Sequence, residues 1–412
     1  MAKYVIIGNS TAAVNCVEGI RSIDREGDIL LVSDEKHFTY GRPLISYLLY
    51  GKTDPERMKY RSNDWYEVNK VQFKAGVKAT KIDAKKKNIE LSTGEKVPYE
   101  KLLVATGSRP FVPPMPGLEK VKEQYSFMTM DDALKIGENF RKEDDVLIIG
   151  AGLIGLKCLE GIRGRVRKVT VVDMANRILP SILDEDGSAI VQKYLEKKQG
   201  VEFLLGDSAA EFTGKNAVTL KSGKQLTFDR LVLAVGVRPN VELVQEAGGE
   251  CNRGICTDGT GKTSLPDVYA AGDCALSHDI AAGVDRVLAL LPNAALQGRT
   301  AGINMAGGTA VFDKAVPMNA MGLFDLHMIT AGVYEGECYE EKADGKYKKL
   351  FYQDDRLKGF ILIGDVARAG IYTSLLRNAT PLSSVDFEML EKAPALAAFS
   401  ADYRKEKLTQ RV

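Results

Sequence analysis

Residues 146–173 read VLIIGAGLIGLKCLEGIRGRVRKVTVVD. Four apolar residues run into a Gly-rich turn. A stretch of helical spacing follows to about Arg163, and a β-rich run, 168–173, closes on Asp173. Strand, turn, helix and strand in this order make the βαβ unit of a parallel sheet. The turn is a full GxGxxG, Gly150-Ala151-Gly152-Leu153-Ile154-Gly155. Its first Gly permits the tight turn, its second lets the backbone approach a pyrophosphate, and its third lets the helix close on the strand. A pyrophosphate there meets the unpaired N–H groups of the helix N-terminus. Asp173, 23 residues after Gly150, stands at the end of the next strand, where a carboxylate can hold a ribose 2′-hydroxyl.

The plan recurs near the start of the chain. An apolar run at 4–7 leads into Gly8-Asn9-Ser10-Thr11-Ala12-Ala13, a helical pattern covers 12–23, and a strand is expected at 29–33. Ser10 replaces the second Gly and Ala13 the third. Both are small, so close approach survives, and Ser10 brings a hydroxyl. Glu35 lies 27 residues after Gly8, with Asp34 beside it. A second repeat supports two copies of one nucleotide-binding domain. Residues 89–110, IELSTGEKVPYEKLLVATGSRP, align without gaps on 218–239, VTLKSGKQLTFDRLVLAVGVRP, at an offset of 129. Each copy holds a hairpin turn (Gly94, Gly223), then an apolar strand ending at Gly107 or Gly236, then Arg-Pro.

No third copy follows Pro239. The chain runs to a strand ending in Gly272-Asp273, a helix at 292–305, a Gly307-Gly308 break, and a segment of different texture, 313–412. That segment carries strands at 347–352 and 359–363, a helix near 371–377, and a helical, solvated end at 388–412.

Composition narrows the class. The chain has 412 residues, 45% apolar and 27% charged, which is ordinary for a globular protein of two to three domains. Lys plus Arg total 56 against 55 Asp plus Glu, so there is no global excess to neutralise nucleic-acid phosphates. No apolar run reaches the roughly 18 residues of a membrane span, and the N-terminal apolar run is too short for a secretory h-region. The six Cys include no CxxC and form no disulfide framework, which points to a cytoplasmic protein. His37, His278 and His327 lack metal-ligand spacing, so no metal is expected. Trp65 reads as packing. Lys342, Lys346, Lys348, Lys349, Arg356 and Lys358 read as a solvated β face, with a docking patch for an acidic electron carrier as the alternative.

Two dinucleotide sites in one chain imply two nucleotides. A nicotinamide cofactor and a flavin are the economical pair, because a hydride leaving one must reach something fixed. At this point the chain resembles the pyridine nucleotide–disulfide oxidoreductase superfamily, over about residues 1–385. Within it the resemblance is to the branch without a redox disulfide: NADH:rubredoxin reductases, oxygenase-type ferredoxin reductases and nitrite reductase flavin domains. KLLVATGSRP at 101–110 resembles the second flavin-contacting stretch, and LVLAVGVRPN at 231–240 its counterpart in the NAD domain. VYAAGDC at 268–274 resembles the strand whose Asp, here Asp273, meets the ribityl and pyrophosphate region. LLPNAALQG at 290–298 resembles the helix start facing the isoalloxazine, and FTYGRPLIS at 38–46 the Tyr-x-Arg-Pro segment beside the flavin.

The resemblance implies an α/β protein with two Rossmann-like dinucleotide-binding domains, for FAD and NAD, and a C-terminal α+β domain. The expected division is 1–110 and 240–312 for FAD, 111–239 for NAD, and 313–412 as an interface domain. The implied FAD set is Gly8, Ser10, Thr11, Ala12, Ala13, Asp34, Glu35, Arg42, Pro43, Val77, Ala105, Thr106, Gly107, Arg109, Gly272, Asp273, Asn293 and Ala294. The implied NAD set is Gly150, Gly152, Leu153, Ile154, Gly155, Asp173, Arg177, Val235 and Gly236. FAD is expected tight and noncovalent, with NADH as substrate. The electron acceptor is a protein, such as rubredoxin, ferredoxin or an iron–sulfur subunit. The chain is a homo-oligomer or a subunit of a larger complex, and nucleic acid and membrane are not partners. The alternatives are an NADH oxidase or small-acceptor reductase, and a non-enzymatic NADH-sensing flavoprotein subunit.

Two departures stand out. Arg42 occupies the place where thiol-using relatives carry a Cys, so a thiol relay is disfavoured. Ferredoxin reductases of this type carry a Lys where this chain has Tyr47 and a Glu where it has Lys157. Lys157, expected in the first turn of its helix, is the candidate cation for stabilising negative charge on reduced flavin.

Overall fold

The computed structural model describes residues 2–343 and 345–409. The chain divides into two compact units, one made of 1–176, 200–278 and 284–315, the other of 177–199, 279–283 and 316–412.

The first unit holds two parallel sheets of like order. In one, Ala2–Ile7 pairs with Ile29–Ser33 and with Lys96–Val104, Ile29–Ser33 pairs with Val71–Ala75, and Val268–Ala270 pairs with Lys96–Val104. In the other the order is Glu202–Leu205, Lys168–Asp173, Asp145–Ile149, Arg230–Leu233 and Gln124–Tyr125, again all parallel. Continuous apolar runs form these strands because a sheet covered on both faces buries every residue; Tyr4, Val5 and Ile6 are wholly buried. The strand Lys96–Val104 serves twice. Its first half closes the hairpin with Asn88–Leu91, and its second half joins the parallel sheet. Asp145–Ile149, Leu153–Ile162 and Lys168–Asp173 realise the βαβ unit read from residues 146–173.

Helices Thr11–Arg21 and Leu291–Met305 pack closely on this framework. Gly298 and Gly302 permit the approach, since a Cβ at either would overlap the backbone of Ala12 or Cys16. Trp65 is buried and donates from Nε1 to Glu18 on the first of these helices, at 3.1 Å.

The second unit is a five-stranded antiparallel sheet, ordered Met318–Leu323, Leu326–Gly332, Arg356–Ile363, Lys346–Gln353 and Glu337–Ala343. Helix Gly370–Arg377 sets Tyr372 against Phe360 in its core. Helix Glu185–Gln199 belongs to this unit, where the Tyr347 hydroxyl bonds Asp184 at 2.7 Å. The chain end is not one helix. It breaks into Phe387–Lys392, a turn at Leu396–Ala398, and Ala401–Thr409. Pro394 is the cause: it forces Ala393 into an extended conformation and stops the helix. Among the described residues no helix is long and apolar enough to cross a membrane.

Candidate dinucleotide-binding sites

Two turns of the first unit are built alike. Gly8 and Gly150 both adopt φ +115°, a region costly for any residue with a Cβ. An added Cβ would meet the backbone carbonyl of Ala105 in one case and of Ala234 in the other, and these two alanines are equivalent in the 129-residue repeat. Gly8 N–H donates to Val32 O and Gly150 N–H to Val172 O, both at 2.8 Å. Each turn therefore lies against the end of the next parallel strand and aims a helix N-terminus past it.

The N-terminal turn opens on a cavity of about 780 Å³. Its walls bring together Gly8, Ser10, Thr11, Ala12, Asp34, Glu35, Arg42, Val77, Ala105, Thr106, Gly107, Arg109, Gly272, Asp273 and Ala294, from segments spread over nearly 300 positions. Three of the expected residues stand outside the lining. Ala13 is fully buried in the helix where it replaces a Gly, Pro43 is the middle residue of the short 3-10 turn Arg42–Leu44, and Asn293 is buried just inside the helix start at Leu291. Residues outside the expected set also line the cavity, among them Asn9, Lys78, Met128, Thr129, Asn240 and Glu242. Asn9 shows what keeps the altered turn in shape. Its side chain donates to His37 O at 3.1 Å and accepts from the Tyr66 hydroxyl at 2.8 Å.

The cavity's polar groups fit a flavin dinucleotide. Ser10 caps the helix Thr11–Arg21 without a side-chain capping bond, so its hydroxyl remains available beside the first-turn N–H groups. Glu35 holds Arg42 at 2.5 Å. Asp273 lines the cavity, and among the described residues no group donates a hydrogen bond to its carboxylate. Burial pushes its carboxyl up, against the pull of Arg42. A carboxylate sunk in a wall without a protein donor is a place for ligand hydroxyls.

The second turn carries Gly150, Gly152, Leu153, Ile154 and Gly155 into the helix Leu153–Ile162. A Cβ at Gly152 would meet open space, whereas one at Gly155 would meet the Gly150 carbonyl. The Asp173 carboxylate accepts from Ala151 N at 2.6 Å and from Ala175 N at 2.7 Å, which fixes it against the turn. Val235 and Gly236 follow the strand Arg230–Leu233. Arg177 falls in the second compact unit, and its buried Nε has no hydrogen-bond partner among the described residues.

Lys157 is not in the first turn. Its helix starts at Leu153, so it lies one turn further in, where the opposing macrodipole is weaker. Its ammonium pairs with Glu160 and stands 4.6 Å from the Tyr47 ring centroid. The sequence reading did not single out Glu160, whose side chain is only 2% exposed. The basic run of the C-terminal sheet is largely neutralised: Lys342 pairs with Asp186 and Glu340, Lys348 with Glu341, and Lys349 with Asp184 and Glu340. Among the described residues no group of His, Cys, Asp and Glu is placed to hold a metal ion.

Residues 2–298 match the family model described as pyridine nucleotide-disulphide oxidoreductase, and 317–380 match that of the rubredoxin NAD+ reductase C-terminal domain. The chain is 32% identical over 393 residues to the NADH-dependent phenylglyoxylate dehydrogenase subunit epsilon of Aromatoleum evansii, covering 92% of this chain and 93% of that one. It is 31% identical to the assimilatory nitrate reductase electron transfer subunit of Bacillus subtilis, over 88% of this chain but only 48% of that longer protein. The chain thus spans about half the length of that relative. Among solved structures, the covalent putidaredoxin reductase–putidaredoxin complex aligns with a TM-score of 0.86 at 25% identity, covering 96% of this chain and 97% of that one.

Proposed function

We propose, from the premise that the chain belongs to the pyridine nucleotide-disulphide oxidoreductase family, that it carries electrons from NADH to a small redox protein or an iron–sulfur subunit. It is an oxidoreductase with FAD as cofactor and NADH as electron donor. FAD, when bound, supplies the chemistry: it takes a hydride and can pass its electrons on one at a time. The protein supplies position and electrostatics.

The observation that carries the reading is the convergence of the Gly8 turn, Glu35 and Asp273 on one cavity, repeated in plan at the Gly150 turn. The first-turn N–H groups of Thr11–Arg21 and the Ser10 hydroxyl would take the FAD pyrophosphate. Glu35 would take the adenosine ribose, and Asp273 the hydroxyls nearer the flavin. At the second turn Gly150, Gly152 and the helix start at Leu153 would take the NADH pyrophosphate, and Asp173 its ribose. These roles rest on residues 1–110 and 240–312 serving FAD, 111–239 serving NADH, and 313–412 forming an interface domain. The match of 317–380 to a rubredoxin reductase domain and the fold shared with putidaredoxin reductase support a protein acceptor.

The test is turnover with NADH against a panel of acceptors: rubredoxin, ferredoxin, free flavin, quinone and oxygen. Turnover with an iron–sulfur protein at least tenfold above that with oxygen is expected. Oxygen or a small acceptor as the best substrate would overturn the protein-acceptor reading.

A further inference from the structure

Tyr40 lies beside the N-terminal cavity without lining it, and its hydroxyl joins Glu35, which lines it, to Met130, the residue after the lining pair Met128 and Thr129. The side chain is 8% exposed. The hydroxyl sits 2.7 Å from Glu35 Oε2 and 3.0 Å from the backbone nitrogen of Met130. The Met130 N–H can only donate, so the phenol oxygen is its acceptor and the phenol proton is committed to Glu35. Burial holds the phenol in its neutral form, which keeps that proton in place. The other carboxylate oxygen, Oε1, receives Arg42, whose second nitrogen donates to Met128 O at 3.0 Å. Glu35 is thus gripped at both oxygens, and both grips return to the 128–130 turn. That turn lines the cavity at Met128 and Thr129 and opens the helix Met130–Asn139, which Thr129 and Asp132 close with a capping box.

We propose that Tyr40 is a positioning residue: it fixes the Glu35 carboxylate for the adenosine ribose of FAD and links occupancy of that site to the start of the helix Met130–Asn139. The inference rests on FAD occupying this cavity with Glu35 at its adenosine end. A carboxylate oriented in advance loses little side-chain entropy when the ligand arrives. A carboxylate free to turn would spend part of the ribose hydrogen bonds on that ordering. The same hydroxyl ties the ligand-facing group to the Met130 amide, so tightening one tightens the other.

The experiment is a double-mutant cycle on FAD affinity in refilled flavin-free protein, followed by flavin fluorescence. Tyr40→Phe should raise the FAD Kd about tenfold, and Glu35→Gln should raise it by a similar factor. The double variant should be little weaker than Glu35→Gln alone, because Tyr40 acts through that carboxylate. Full additivity, or an unchanged Kd in Tyr40→Phe, would overturn the proposal. Amide exchange in the unaltered protein reads it without a variant: Met130 N–H should exchange at least tenfold more slowly with FAD bound. Equal exchange with and without FAD would overturn it. Failure of the unaltered protein to bind FAD at all would instead remove the flavoprotein assignment beneath it.

Discussion

Arg109 and Arg238, equivalent positions of the 129-residue repeat, stand directly opposite one another in the antiparallel ladder of Ser108–Pro110 with Val237–Pro239. The two halves of the repeat therefore meet head to head about a local two-fold axis where the chain leaves one parallel sheet for the other and returns. Like charges opposed on a ladder repel, and the pair is resolved by divergence. Arg109 turns to Asn240 Oδ1 at 2.7 Å and Glu242 at 2.6 Å, while Arg238 lies over the Phe111 ring at 4.3 Å. Asn240 also closes the join, bonding Thr106 O through its side chain and the Thr106 hydroxyl through its carbonyl. The edge of the N-terminal cavity is thereby fixed by residues that follow each copy of the Gly-x-Arg-Pro sequence.

Gly8→Ala should abolish FAD retention and destabilise the fold. The new methyl meets the Ala105 carbonyl at a φ of +115°, so the strain cannot be relieved by a side-chain rotation. A cost of about 1–3 kcal/mol is expected for a strained backbone position. Flavin content after purification and the melting temperature of the flavin-free form check it. A full complement of FAD in this variant would be the contrary result.

NADH should be preferred to NADPH by about tenfold to a hundredfold in kcat/KM, the range of a like-charge contact worth 1–3 kcal/mol. Asp173 is held against the turn by Ala151 N and Ala175 N and cannot swing away from a 2′-phosphate without giving up both bonds. Asp173→Asn should narrow the preference. Asp173→Ala should lower efficiency with both coenzymes, since it also releases the turn. Steady-state kinetics with the two coenzymes decide.

Much of this architecture is legible in the sequence for a local reason. A glycine needing positive φ, a small residue at a close approach and an acid at a strand end each leave a fixed spacing, and those marks gave the turns at Gly8 and Gly150. Met128 and Glu160 leave none, and the motifs that contain Asn9 and Tyr40 do not say what those two side chains bind. These residues act through partners 28 to 90 positions away, or through burial that one helical turn does not reveal, as the bonds Asn9–His37 and Tyr40–Met130 illustrate. The chain-end helix misled for a different reason: helix-forming composition over 388–412 outweighed a single Pro394.

The pH dependence of the flavin-free protein should carry the mark of Asp273. Burial raises its carboxyl on folding. A group raised on folding favours the folded state fully only below its unfolded value, and that contribution is lost as pH rises through the folded value. At neutral pH the ionised carboxylate is then a burden in the empty cavity. Asp273→Asn should melt higher than the unaltered flavin-free protein at about pH 7, and the gap should close near pH 4, around the ordinary carboxylate value. The same variant should bind FAD about tenfold or more weakly, because it exchanges a charged hydrogen-bond acceptor for a neutral one.

No thiol should take part in turnover. Cys16, Cys158 and Cys274 are buried, and burial pushes each thiol up, away from the reactive thiolate. Reductive titration should consume two electrons per FAD. Replacing all six cysteines with Ala or Ser should leave NADH-driven flavin reduction within about twofold, as expected when only the thiolate form is reactive. A four-electron titration, or a folded cysteine-free variant with no flavin reduction, would show a thiol relay.

Lys157 and Glu160 should behave as a unit. A lysine alone at this place would add one positive charge near the Tyr47 ring, but Glu160 is almost wholly buried beside it, so the pair brings no net charge. Lys157→Ala takes the lysine from that carboxylate, and losing a hydrogen bond to a charged group costs about 1.5–3 kcal/mol. The variant should melt several degrees lower. Lys157→Met combined with Glu160→Leu removes both charges and keeps the volume, so it should recover most of that loss. The flavin potential separates an electrostatic role from simple packing. With one positive charge removed, Lys157→Ala should lower the midpoint by about 30 mV, equivalent to about 1.4 kcal/mol for a two-electron couple. Rapid-reaction flavin reduction by NADH should slow with it, while NADH binding changes little. The double variant should return to the starting potential. A potential unchanged in Lys157→Ala would assign the pair to packing between Tyr47 and its helix alone.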